Sequence, residues 1–247
     1  MKKPKYIFIL ILPLMWISYC LFELFSKRLS LSIFTSLTIL PTLMLLLISY
    51  LFFKISKYFK HGLSKKLLFL LFILLFFIDQ GSKLIIKIFF FEKKFYIISN
   101  LLSFNPIINT KGSWLNVRFN ININFIALIS INFIALFLFT EIYRYYNAKE
   151  KNFFIDLCYI FILVGSICSL IDKIFYGGSL DFIGISNLFI ADFKDIYINL
   201  AIFMFIIVTY NNDINNKSND ESIKISNFFK FTMNDVKKNI LKQKTDS

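Results

Sequence analysis

Asp172 and Asp192 each lie at the end of a long apolar stretch, in Ser169-Leu170-Ile171-Asp172-Lys173 and Phe189-Ile190-Ala191-Asp192. If the two stretches are antiparallel membrane helices, both carboxylates reach the same membrane face. A carboxylate in or beside lipid is costly, so it is a functional candidate by default. Two carboxylates at contact distance cannot both ionise freely, and they share a proton. One can then polarise a carbonyl while the other takes a proton from water, which is the acid–base chemistry of aspartic peptidases. The structural alternative is a pair of interfacial helix caps, with Asp192 at the positive end of a helix dipole. Asp195, one turn on, is a rival second carboxylate.

Six apolar stretches of about 20 residues must position these groups. They run from about Tyr6 to Phe25, Leu31 to Phe53, Leu67 to Phe91, Ile123 to Tyr143, Phe153 to Phe175 and Ala191 to Tyr210. The third contains Asp79 and Lys83, four residues apart, where a salt bridge is the simple reading. Between the third and fourth, Phe95–Ile98 and Trp114–Phe119 resemble short strands, with Asn105-Pro106 and Lys111-Gly112 as turn signals between them. The expected fold is an all-α polytopic membrane protein of about six transmembrane helices with a small extracytoplasmic β element.

Charge orients this bundle. The amino terminus, the loop holding Lys54, Lys57, Lys60, Lys65 and Lys66, the loop holding Arg144, Lys149 and Lys151, and the lysine-rich tail all fall on one side. The positive-inside rule makes that side, with both termini, cytoplasmic. Asp79, Asp172, Asp181 and Asp192 then lie near the outer face. The first stretch reads as an uncleaved anchor, because no small-x-small site follows it. Residues from Asn211 onward read as a loosely structured cytoplasmic tail, of which Ile223 to Leu241 suits a basic amphipathic helix on an anionic leaflet.

Composition excludes several classes. A chain 57% hydrophobic, with a mean hydropathy of +0.67, is not an ordinary soluble domain. Its net charge of +13 would suggest nucleic acid in a soluble protein. Here the basic residues sit between apolar segments, so they report topology instead. Cys20, Cys158 and Cys168 lie within apolar runs as small hydrophobic residues. The one histidine, His61, cannot build a zinc site alone.

From about residue 67 to 210 the chain resembles the lipoprotein signal peptidase family, the bacterial type II signal peptidases. Asp79-Gln80-Gly81-Ser82-Lys83 matches the family's D-Q-x-x-K, and Asn109-Thr110-Lys111-Gly112-Ser113-Trp114 resembles its N-x-G-A-A-F region with altered spacing. Gly165 to Lys173 resembles G-x-x-G-N-x-x-D-R, while Asp181-Phe182 and Ala191-Asp192 resemble V-D-F and F-N-x-A-D. The chain departs from the pattern in several places, and the alanine pair of the second motif is gone. Ser169 stands for the asparagine, Lys173 for the arginine and Phe189 for the asparagine of the last motif. The first two spans have no counterpart in the usual four-helix member.

The resemblance implies that Asp172 and Asp192 are the catalytic pair, without metal or cofactor. It implies supporting or substrate-binding roles for Asp79, Lys83, Asn109, Ser169, Lys173 and Asp181. For Lys173 the expectation is that it neutralises or orients nearby carboxylates, or else snorkels to the interface. The implied substrate is a prolipoprotein carrying diacylglycerol on its cysteine, cut just before that cysteine; the partners are this substrate and the lipid bilayer, and no nucleic acid. The expected organisation is an extension with two spans over residues 1–60, a peptidase-like domain over 61–210 and a basic tail over 211–247. Two rivals remain: a non-catalytic relative that binds lipoproteins or lipopeptides, and a transport or assembly subunit using intramembrane charges.

Overall fold

A computed structural model describes residues 7–112, 114–121, 123–149, 151–216, 227–235 and 237. Among the described residues, six helices are long and apolar enough to cross a membrane: α1 (Ile7–Phe25), α2 (Leu31–Ser56), α3 (Lys65–Ile85), α5 (Phe125–Lys149), α6 (Phe153–Phe175) and α7 (Phe193–Asn216). A π-helical turn, Ile86–Phe90, extends α3. Ser30, Ser64 and Asn152 cap α2, α3 and α6 by accepting backbone N–H bonds from the first turn. The helices fall near the limits expected of them, because a span is recognised by the length of its apolar run.

α6 is the central helix. It is buried along most of its length and packs on α3, α5 and α7. Gly165 permits the α6–α7 approach, since a Cβ there would lie 2.9 Å from Ile198 Cγ1. The outer helices expose Leu43, Leu47, Phe69, Phe77, Phe133 and similar side chains, as a lipid-facing surface requires. Cys20, Cys158 and Cys168 are all buried.

The β element is larger than expected. β1 (Phe95–Ile98), β2 (Leu102–Asn109), β3 (Ser179–Ile185) and β4 (Phe189–Ala191) form one antiparallel sheet in that order. Asn105-Pro106 is not a turn between strands. It lies inside β2, where the register shifts between Phe104 and Ile107. Proline lacks the ladder N–H, so a bulge accommodates it. Trp114–Phe119 is a short helix, α4, and not a strand. Asn116 closes the segment on itself: its Nδ2 donates to Lys111 O at 2.8 Å and Ile123 O at 2.9 Å. Ser113, in the motif expected around Asn109, lies outside the described residues.

The loops sort to two ends. At the sheet end, buried Glu23 of α1 pairs with Arg28 and with Arg118 of α4, and Arg28 also donates to Leu188 O at 3.0 Å. At the other end, Asp156 accepts from Leu63 N at 2.6 Å and from the Tyr143 hydroxyl at 3.0 Å. The first residues of the expected tail are helical, because α7 continues to Asn216. Part of the segment expected as an amphipathic helix is helical, over 227–235. Phe228 and Phe231 there pack on Tyr145, and Asp235 pairs with Arg144. The remainder of Ile223–Leu241 lies outside the described residues, apart from Lys237.

Candidate active site

Three elements deliver the charged groups to the sheet end of the bundle. Asp172 sits in the last turn of α6. The chain then turns through Gly177, whose φ of +61° is a left-handed conformation suited to glycine, and enters β3. β3 and β4 form a hairpin that returns the chain to Asp192, immediately before α7. Asp192 caps that helix: its Oδ1 accepts from Asp195 N at 3.2 Å, while Asp195 Oδ2 accepts from Asp192 N at 3.3 Å. This reciprocal pair is the acidic counterpart of a capping box. α3 brings Asp79 and Lys83 beside them.

Lys83 joins all three spans. Its Nζ lies 2.8 Å from Asp79 Oδ2, 2.8 Å from Asp172 Oδ2 and 2.7 Å from Asp192 Oδ2. The simple Asp79–Lys83 bridge read from spacing therefore exists, as one arm of a larger cluster. Gln80 Nε2 donates to Asp79 Oδ2 at 3.0 Å and to Asp172 Oδ1 at 3.4 Å. Asp79 Oδ1 accepts from Lys194 N at 2.9 Å, so it also satisfies an otherwise unpartnered N–H of the first turn of α7.

A second buried cation, Lys194, is absent from the residues expected from sequence. Its Nζ pairs with Asp192 Oδ2 and lies 3.2 Å from Asp172 Oδ2, 2.6 Å from Ser179 Oγ and 3.9 Å from Asp181 Oδ1. Ser179 Oγ is within 3.0 Å of Asp172 Oδ2 and 2.9 Å of Asp192 Oδ2. The two aspartates thus share three partners: Lys83, Lys194 and Ser179. Two lysine side chains and one hydroxyl thus bridge the pair in this arrangement.

The other expected residues are placed as follows. Asn109, at the end of β2, donates to Asp181 Oδ2 at 2.9 Å. Asp181 is buried on β3, and desolvation pushes its carboxyl above the usual range, against the opposing pull of Lys194. Burial acts on Asp192 in the same direction. There the ammoniums of Lys194 and Lys83 outweigh it and hold the carboxyl at about 2. Lys173 does not bridge the aspartate pair; its Nζ hydrogen-bonds Ser169 one turn earlier. One oxygen each from Asp181, Asp192 and Asp195 gather within 4.8 Å, a spacing that suits a cation. Lys194 already supplies positive charge to all three.

The family model for signal peptidase (SPase) II matches residues 71–211, which carry every residue of this cluster. The chain belongs to the signal peptidase II family. It is a multi-pass membrane protein of a peptidase family. Two solved structures of a bacterial membrane enzyme, determined by the in meso method, are similar to it. One is 16% identical over 66% of this chain and 96% of its own, and the other 17% identical over 60% and 96%; both have a TM-score of 0.49. No curated protein matches the chain in sequence.

Proposed function

We propose that this signal peptidase II family member is an aspartic endopeptidase that removes signal peptides from diacylglyceryl-modified prolipoproteins, cutting before the lipidated cysteine. The observation that carries the reading is the convergence of Asp172 and Asp192, from separate spans, on the same three buried partners. In the working enzyme one carboxyl is protonated and donates to the scissile carbonyl oxygen. The other takes a proton from the water that attacks the carbonyl carbon. Collapse of the tetrahedral intermediate breaks the C–N bond, and the leaving amine takes up a proton.

Asp79, Gln80 and Lys83 hold the pair together across three spans. Asn109 and Ser169 support the segments around it, and Lys173 tethers Ser169. Residues 61–210 form the peptidase unit, residues 1–60 an extension clamped to it through Glu23, and 211–247 a basic tail. The basic loops put both termini in the cytoplasm and the dyad at the outer face, where the substrate enters sideways from lipid.

The test is expression in bacteria depleted of their own lipoprotein signal peptidase, with a diacylated prolipoprotein followed by gel shift. Wild type restores processing, whereas Asp172→Asn and Asp192→Asn do not, although both insert and fold. Processing by either variant would remove that aspartate from the dyad. Failure of wild type on its cognate prolipoprotein, with retained binding, would make the protein a non-catalytic lipoprotein binder.

A further inference from the structure

Hydrolysis by this dyad needs room for a water and a carbonyl between Asp172 and Asp192, and it needs one proton on the pair. The resting centre is closed. Asp172 and Asp192 are 1% and 0% exposed, and Lys194, itself 6% exposed, spans them with its Nζ. With Lys83 and Lys194 both present, two ammoniums face the two dyad carboxylates and Asp79. The two ammoniums hold Asp192 in its ionised form.

An alternative partner for Lys194 stands beside it. Asp181 is buried on β3 and is held through Oδ2 by Asn109. Its Oδ1 has no hydrogen-bond partner and lies 3.9 Å from Lys194 Nζ, just beyond bonding reach. A buried carboxylate oxygen left without a donor is costly, and a lysine on a flexible four-carbon stem can satisfy it. Lys83 is held more tightly, with its Nζ within 2.8 Å of three carboxylates that it would have to leave.

We propose that Lys194 is a latch: its ammonium closes the resting dyad, and substrate entry transfers it to Asp181, leaving Asp172 and Asp192 to share one proton. Once Lys194 has moved, Lys83 is the ammonium still bonded to the dyad and Asp79. Like charges at contact distance then take up a proton from solvent, and the pair reaches the state that peptide hydrolysis requires. Ser179 remains in place, donating to whichever carboxylate is ionised. The groups facing Lys194 from each packed element enter this balance: Asp192 and Asp195 at the start of α7, Asp172 and Lys173 on α6, Ser179 and Asp181 on β3, and Asp79 and Lys83 on α3. Lys194 is thus a positioning residue, acting through the dyad's charge state.

The latch rests on the peptidase reading for its purpose, but it has a signature of its own. The full-length protein in lipid nanodiscs is compared with Lys194→Met, Asp181→Asn and the double variant, with Lys194→Gln as a second neutral replacement should methionine disturb folding. At neutral pH the infrared carbonyl band of a protonated carboxylic acid grows in Lys194→Met relative to wild type. Adding Asp172→Asn or Asp192→Asn removes the gain. No gain in either neutral variant overturns the latch, whatever the cleavage rates. In cleavage of a diacylated prolipoprotein, Asp181→Asn slows kcat/KM roughly tenfold, an ordinary coupling between contacting residues. The same change costs less than about twofold once Lys194 is gone. An Asp181→Asn defect of equal size in both backgrounds, or a Lys194→Met enzyme as dead as Asp172→Asn, overturns the proposal. A band that grows while no variant cleaves would sink the peptidase reading and leave the latch standing.

Discussion

Two buried ionic clusters stand at the same end of the bundle, and they are built oppositely. Around Glu23 one carboxylate meets two guanidiniums. Arg118 reaches it with Nε at 3.1 Å and a terminal nitrogen at 3.3 Å, and Arg28 adds contacts at 3.2 and 3.4 Å. Arg118 also lies over the Phe22 and Phe119 rings, while Arg28 holds Leu188 O. Planar forks fix direction as well as distance. The Glu23 cluster therefore ties α1, α4 and the β3–β4 turn into one geometry. Around the dyad the cations are lysines, each a point charge on a flexible stem, and carboxylates outnumber them. Arginine holds an arrangement, whereas lysine can exchange partners. The first cluster suits a clamp and the second a centre that must change its charge state.

The largest expected effect that separates them is on Lys83. Lys83→Met strips the shared cation from Asp79, Asp172 and Asp192 and costs about 3–5 kcal/mol of stability, the penalty of breaking a buried pair. Cleavage is lost as well. Thermal melts in nanodiscs and the prolipoprotein gel shift measure the two together. A variant that melts like wild type would mean that the cluster holds no stability, and the contrast with the Glu23 clamp would vanish.

Glu23→Ala comes next. It leaves Arg28 and Arg118 facing each other, at about 2 kcal/mol, less than the full buried penalty because Arg28 is partly solvated. The melting temperature falls and cleavage declines modestly through a loosened β3–β4 turn. The dependence of cleavage on pH keeps its shape, because no group at the dyad has changed. A reshaped pH profile with an unchanged melt would instead join Glu23 to the chemistry.

The two clusters were not equally legible in the amino-acid sequence. The six spans read directly, since a run of about 20 apolar residues has few other fates. Asp79, Lys83, Asp172 and Asp192 stood out because charge is rare in such runs. Lys194 did not. It lies in Asp192-Phe193-Lys194-Asp195, at a boundary between loop and helix where charge is ordinary. β2 and β3 are hard to read because each is the other's partner at a separation of 70 residues or more, as in Phe104 against Ile183, and β4 has only three residues to show a pattern. Periodicity within a segment carries no record of a partner that distant. Trp114–Phe119 misled in the other direction: its aromatic and β-branched residues favour a strand, but Asn116 closes the loop around a helical turn.

Acid separates chemistry from stability at the dyad, and this sharpens the contrast most finely. Asp192 is held at about 2, below the usual carboxylate value near 3.9. A depressed folded value gives stability that is present above the unfolded value and is lost as pH falls, here between about 4 and about 2. Asp181 has the opposite sign. Burial raises its folded value, so its protonation favours the fold, and that contribution fades only as pH rises through the raised value. On acidification from neutral, Asp181 therefore protonates before Asp192. The fold loses nothing at that step, but Lys194 loses its alternative partner and cleavage slows. The expected result is an acid limb of kcat/KM lying above the pH at which the melting temperature begins to drop. Asp181→Asn abolishes that limb from an already lowered rate. A limb that survives the substitution, or that coincides with the melt, would mean that Asp181 titration does not govern Lys194, and that acid acts on the dyad itself.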